Sequence, residues 1–314
     1  MSDGLGKRLR LARNVALTTA AAAAIALALG AGACHRTGGG NGDAGADADA
    51  GGGADAAAPD AAGTRDAADA DGGGAAADAA ASADSSAASA ATGTIVPLYT
   101  DPPDVTWDAV AAAKAAHPTV PVVAILNPAN GPGAGADPDY AAGLAALRGA
   151  GVVAIGYVFT GYAARPAADV QADVDLWASF YGGELDGIFF DEQSNLPADA
   201  PYYGALSAYA DGAGLGFTVG NPGTDTDPAY VGTVDVLLIY ESAGLPAVAA
   251  LGGWHTGYDR ANFGIIPYAV PALDGAFVAA ASPYVGWVYL TDDDLPNPWD
   301  SVSSYFAALV AALE

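Results

Sequence analysis

Two acidic strand ends are where this chain could do chemistry. Gly187-Ile188-Phe189-Phe190 is a short apolar run that stops at Asp191 and Glu192, and Val236-Leu237-Leu238-Ile239-Tyr240 is a second that stops at Glu241. Strands covered on both faces read as unbroken apolar stretches, and a carboxylate at the end of one needs partners to replace its lost hydration. Basic partners are scarce. Residues 94–314 hold 25 acids, against only Lys114, Arg148, Arg165 and Arg260. Ion pairing is therefore a poor account of these acids. Two carboxyl groups facing one pocket are the usual equipment for hydrolysing a glycosidic bond. Adjacent residues on a strand point to opposite faces, so Asp191 and Glu192 share a face only if the strand ends between them. Asp191 is expected to be the nucleophile, because a short side chain on a strand end is tightly placed. Glu192 in that role stays open; otherwise it orients substrate. Glu241, on an apolar strand, is expected to act as general acid and then general base, with burial raising its pKa.

The elements that must position these acids alternate from Thr94 onward. Strands are predicted at 94–99, 121–126, 152–158, 187–191, 215–220, 235–240, 263–268 and 284–290. Helices are predicted near 107–116, 138–149, 167–180, 201–213, 228–232, 245–250, 271–281 and 299–313, with Asp137-Pro138 and Asp300 as caps. Strict βα alternation predicts a parallel sheet, and eight units in about 220 residues predict an α/β fold, a (β/α)8 barrel of TIM type.

In such a barrel the chemistry lies at the C-terminal ends of the strands. Those ends carry Tyr99 and Asp101, Asn127, Tyr157 with Thr160, Asn221, Tyr268 and Asp292 beside the three acids already named. Tyr99, Asp101, Asn127, Tyr157, Thr160, Asn221 and Tyr268 are expected to contact substrate. Trp287 and Trp254 are candidate stacking platforms for a sugar ring, and His255 a loop contact. Gly131-Pro132-Gly133 is read as a turn and not a phosphate loop. Asp292-Asp293-Asp294 lacks the spaced oxygens of a calcium loop, so no metal and no cofactor are expected. No Gly-x-Ser-x-Gly elbow is present, which leaves an α/β-hydrolase triad unsupported.

Six motifs in order carry a resemblance. They are Val96-Pro97-Leu98-Tyr99, Leu126-Asn127-Pro128 running to Gly131-Pro132-Gly133, Gly156-Tyr157-Val158-Phe159-Thr160, Gly187 to Glu192, Asn221-Pro222-Gly223 and Tyr240-Glu241. Across 94–314 the chain resembles the spherulin-4 (spherulation-specific) family. The resemblance implies a (β/α)8 glycoside hydrolase that cuts α-1,4-linked galactosamine or N-acetylgalactosamine polymers from within. It also implies that Asp191, Glu192 and Glu241 hold the family's essential acidic positions. A non-catalytic carbohydrate-binding or adhesive surface protein is the competing reading, since one fold hosts unrelated functions.

The segment before this domain reads as an address and a spacer. Lys7, Arg8, Arg10 and Arg13 precede an apolar run from Val15 to Leu29, which predicts a signal peptide over 1–33. It ends Ala31-Gly32-Ala33-Cys34, small residues before the chain's one cysteine, although Ala31 stands where a lipobox usually has Leu. The expectation is a mature start at a lipidated Cys34. The product would then be an exported bacterial lipoprotein of the outer membrane or cell surface, with plain secretion as the alternative. From His35 to Gly93 there is no Val, Leu, Ile, Met or aromatic residue, so a disordered Ala/Gly/Asp-rich linker is expected over 34–93. A single cysteine excludes an intramolecular disulfide. The acidic balance argues against nucleic acid and anionic lipid as partners and suits a cationic polysaccharide. Nothing in the pattern demands an oligomer, and a monomer is expected.

Overall fold

The computed structural model describes residues 91–314. The expected signal peptide, Cys34 and nearly all of the linker lie outside the described residues. Eight strands follow one another around a barrel: β1 Thr94–Leu98, β2 Val122–Leu126, β3 Val153–Phe159, β4 Gly187–Asp191, β5 Phe217–Gly220, β6 Val236–Tyr240, β7 Phe263–Ile265 and β8 Trp287–Val288. Their spatial order is their sequence order, and each pairs in parallel with the next. Gly93 closes the ring. It pairs with Trp287, its N–H donates to the Gly286 carbonyl at 2.8 Å, and its carbonyl accepts from Val288 N–H at 2.9 Å. The architecture is the expected (β/α)8 barrel. Every residue of β1 and β2 is buried, as strands covered on both faces must be.

Outside the barrel run α1 Val105–Ala116, α2 Pro138–Gly149, α3 Ala167–Tyr181, α4 Ala200–Gly212, α5 Gly275–Ala281 and α6 Phe306–Ala312. Three begin with carboxylate caps: Asp104, Asp137 and Asp274 each accept a backbone N–H of the first turn. The helices expected at 228–232 and 245–250 are instead short 3-10 turns, Pro228–Tyr230 and Val248–Leu251, and two more turns precede β7. Pro228 and left-handed Gly232, then Pro246 and Gly252-Gly253, leave too few residues between breakers for an α-helix. The last helix was expected from 299, with Asp300 near its cap, but it starts only at Phe306. Asp292 accepts the Ser304 N–H at 2.9 Å and Asp293 accepts the Ser301 hydroxyl at 2.7 Å, which hold the preceding segment as a loop.

One packing detail seats a residue of the site. The Trp177 indole of α3 lies against Gly156 of β3, and its N–H donates to the Tyr157 carbonyl at 2.9 Å. A Cβ at position 156 would come within 2.5 Å of the indole ring. Gly156→Ala is therefore expected to destabilise the barrel by about 1–3 kcal/mol, lowering the thermal midpoint by roughly 3–10 °C in a melting scan.

The opposite end of the barrel is filled. Trp287 packs on Phe217, the first residue of β5, with ring centroids 6.0 Å apart, and donates its indole N–H to the Ala261 carbonyl at 3.1 Å. This overturns the expectation of Trp287 as a sugar platform. Residue 287 opens a strand of only two residues, so its ring belongs to the N-terminal end.

Candidate active site

A cleft of about 250 Å³ opens at the C-terminal ends of the strands. Of the residues expected to form it, Tyr99, Asn127, Tyr157, Asp191, Asn221 and Glu241 line it. Pro97, Phe189 and Ile266 supply apolar surface, and Asn130, Asn297 and Trp299 complete the wall.

The acids are organised by one amide. Asn221 Nδ2 donates to Asp191 Oδ1 at 2.8 Å and to Glu241 Oε2 at 2.6 Å. Sharing that nitrogen keeps the two oxygens within about 5.4 Å of each other. The two hydrogens of a planar amide diverge by about 120°, which gives a separation near 4.7 Å. The amide's orientation is set locally, because Asn221 Oδ1 accepts the Gly223 N–H at 3.1 Å. Gly223 is left-handed, with φ of 64°, and its carbonyl accepts the Glu241 N–H at 2.9 Å. The Asn-Pro-Gly turn after β5 thus fixes the bridging amide and the backbone of the residue it bridges to.

Asp191 has a second donor, the Tyr157 hydroxyl, 2.7 Å from Oδ2. Burial first, then the charge of Asp191, hold the Tyr157 phenol well above its usual range, so it stays a donor. Tyr99 meets the Tyr157 ring edge to face at 5.9 Å and is likewise held high, chiefly by burial. Glu241 is raised above the ordinary glutamate value by burial. Hydrogen bonds from Asn221 and Trp299 oppose that shift, while the charge of Asp191 adds to it. None of the four basic residues of 91–314 lines the cleft. Arg148 and Arg165 pair with acids elsewhere, Lys114 donates to the carbonyls of Pro118 and Val120, and Arg260 donates to Thr92 and to carbonyls of Ser282 and Val285. The acidic pair is held by neutral donors.

Asn221→Ala is expected to leave the fold intact and lower kcat/KM by about 10–100-fold. It removes a donor that lowers the Glu241 pKa. The alkaline limb of the pH–activity profile should therefore move to higher pH, which a profile of kcat/KM against pH reads directly.

Several expected contacts lie behind the cleft or apart from it. Asp101 accepts the Tyr140 hydroxyl at 2.6 Å and ties β1's loop to α2. Thr160 is fully buried, its hydroxyl 2.9 and 2.8 Å from the carbonyl oxygens of Asp191 and Glu192. Tyr268 buttresses Trp299 edge to face at 6.2 Å. His255 is buried between the Gly252 carbonyl and Asp225, and Trp254 stacks on it at 4.0 Å. None of these five side chains lines the cleft.

Glu192 is also outside the lining, though its charge still reaches Tyr157. Its φ is 51°, so β4 ends at Asp191 and the alternation rule lapses at that point. A left-handed residue with a Cβ is disfavoured and marks a position that its surroundings over-determine.

Trp299, Asn297 and Asn130 were not anticipated. Pro296-Asn297-Pro298-Trp299 follows the last strand, the right face for chemistry, but the sequence pattern assigns Trp299 to the final helix at 299–313 and gives 296–298 no role. Asn297 Oδ1 accepts the Trp299 N–H at 3.2 Å in a turn that sets the indole on the cleft wall. Asn130 is left-handed, with φ of 53°, and directly precedes the Gly131-Pro132-Gly133 turn.

Residues 93–313 match the family model described as spherulation-specific family 4. Spherulin-4 of Physarum polycephalum is 40% identical over 152 residues, which are 48% of this chain and 45% of that protein. The match thus spans less than half the length of that relative. The crystal structure of Aspergillus clavatus Sph3 in complex with GalNAc superposes with a TM-score of 0.63 at 22% identity, covering 71% of this chain and 97% of that one. At that identity it speaks for the barrel fold. With a family match running the length of the barrel, the chain belongs to spherulation-specific family 4.

Proposed function

We propose that the domain is a glycoside hydrolase that cuts within a polymer of α-1,4-linked galactosamine or N-acetylgalactosamine, with retention at the anomeric carbon. The observation that carries this reading is the pair Asp191 and Glu241, bridged by one amide nitrogen at 2.8 and 2.6 Å. Retaining enzymes hold their two carboxyl groups about 5–5.5 Å apart, whereas inverting ones leave about 6.5–9.5 Å for a water. Asp191 lines the cleft and Glu192 does not, which favours Asp191 as nucleophile. In the first step an Asp191 oxygen bonds to the anomeric carbon. The glycosidic bond breaks, and Glu241 gives its proton to the departing oxygen. In the second, Glu241 takes a proton from water, whose oxygen replaces Asp191 on that carbon. Tyr157 and Asn221 hold Asp191 in place, and Glu192 supports the rim.

The substrate class draws on two facts. The fold neighbour Sph3 was crystallised with GalNAc. The cleft is acidic and lined by no basic side chain, which suits a polymer with free amines. Export and attachment through a lipidated Cys34 belong to the same proposal. The linker after it would carry the barrel away from a membrane.

The test is incubation of the purified chain with partly deacetylated galactosamine polymer. The reading expects a ladder of oligosaccharides by mass spectrometry, and first-formed products of α configuration by NMR. Polymer that is retained but not cut supports a binding protein, and β products show inversion.

A further inference from the structure

The loop after β3 makes a turn of the wrong hand for L-residues. Gly161, Tyr162 and Ala163 have φ of 58°, 55° and 67°. The Ala164 N–H closes on the Gly161 carbonyl at 2.9 Å, and the Arg165 N–H on the Thr160 carbonyl at 3.2 Å. Glycine takes such angles freely, but Tyr162 and Ala163 carry a Cβ that crowds the carbonyl. The surroundings enforce the turn. The Tyr162 N–H donates to the Glu192 carbonyl at 2.7 Å. The Tyr203 hydroxyl, at the centre of this corner, accepts the Ser194 N–H at 2.8 Å, lies 3.0 Å from the Thr160 hydroxyl and engages the Ala163 N–H. Arg165 is pinned in turn by Asp173 at 2.7 Å and by the Phe159 carbonyl at 3.0 Å.

What this scaffold presents is a ring that folding does not use. Tyr162 is 65% exposed. Glycine or asparagine would fit the same backbone with less strain and would forfeit little buried surface. A solvent-facing tyrosine on a firmly held backbone, one hydrogen bond from the residue that follows Asp191, has the form of a recognition surface. Its face can lie against the C–H side of a pyranose ring while its hydroxyl bonds a sugar oxygen.

We propose that Tyr162 is a sugar-stacking subsite beyond the cleft, on the rim beside Glu192, that takes a distal pyranose of a bound polysaccharide chain. The proposal rests on the hydrolase reading above and adds where the polymer runs. It makes the aromatic ring a device for holding long chains, not for the bond-breaking step.

Two measurements test it separately from that reading. In an Asp191→Asn background, which removes turnover, affinity for partly deacetylated galactosamine polymer is read from mobility in polymer-containing gels. Adding Tyr162→Gly should weaken it about 5–20-fold, and Tyr162→Phe, which keeps the ring, should restore most of it. Val105→Ser, at a 76% exposed position on α1, should change nothing. In the otherwise native chain, Tyr162→Gly should raise KM for polymer by a similar factor. Its kcat should stay within about twofold, KM for oligosaccharides short enough to end in the cleft should be unmoved, and the melting midpoint should be level or roughly 2–5 °C higher. Failure of the native chain to cut any polymer would count against the hydrolase reading and leave the binding assay intact. Unchanged polymer affinity in the Tyr162→Gly variant, or an equal loss on short oligosaccharides, overturns the subsite.

Discussion

Asp191→Asn yields a folded barrel that no longer cuts polymer: turnover falls by about 10³-fold or more, while the melting midpoint moves by only a few degrees. The asparagine keeps the shape of the side chain, but its amide group meets one of the two donors, Tyr157 or Asn221, with a donor of its own. What it loses is the charge and the lone pair that would form the covalent intermediate of the proposed mechanism. The sharper form of the experiment uses Asp191→Ala with added azide. An external anion occupies the space left by the carboxylate and attacks the anomeric carbon from the same side. Rescue of activity, with a glycosyl azide of inverted, β configuration as product, identifies the residue that was removed as the nucleophile, whereas loss of the acid–base residue gives the α azide. Rescue in Glu192→Ala and its absence in Asp191→Ala would exchange the two roles and place the nucleophile on the left-handed residue.

Glu241→Gln is the second large effect, and it cuts both ways. With no proton to give the leaving oxygen, kcat on polymer falls by about 10²–10⁴-fold, and the alkaline limb of the pH profile disappears. Stability moves in the opposite direction. Burial raises the folded-state pKa of Glu241, so the charged form is disfavoured in the folded chain. The group's contribution to stability is full below its unfolded pKa of about 4.3 and is lost as pH rises through the folded value. A neutral glutamine escapes that loss. The variant should be more stable than the native chain at neutral pH, by about 0.5–2 kcal/mol, and the difference should vanish toward about pH 4. Thermal melts at both ends of that window check the sign. A variant less stable at neutral pH would show that the native carboxylate is not under strain.

The barrel was legible because parallel strands buried on both faces leave continuous apolar runs, each with a polar residue at or just beyond its end. Asp191, Glu241, Tyr99, Tyr157, Asn127 and Asn221 could be read as neighbours for that reason: in this fold, residues at or just past the C-terminal ends of the strands surround one shared mouth. What the runs do not encode is where a strand truly stops. The stretch 284–290 looked like seven residues of strand, yet only Trp287 and Val288 pair. A tryptophan assigned near the mouth therefore lies at the base. Glu192 was ambiguous for a related reason. Its side of the chain depends on one dihedral angle, and no residue type announces φ of 51° at a glutamate. Trp299 was hidden by a helix pattern that serine and aspartate contacts in 292–304 override. The amide bridge was out of reach as well. Asn221 could be placed at the mouth, but a sequence does not tell whether its amide turns toward substrate or toward two carboxylates.

The barrel's outer wall is uneven. The strands bearing Tyr157 and Asp191 are followed by the full-length helices α3 and α4, whereas β6, which Glu241 directly follows, leads only into 3-10 turns until β7 begins. In the mechanism proposed above, the nucleophile would stand beside two full-length helices, and the residue that passes a proton twice would stand where only short turns separate one strand from the next.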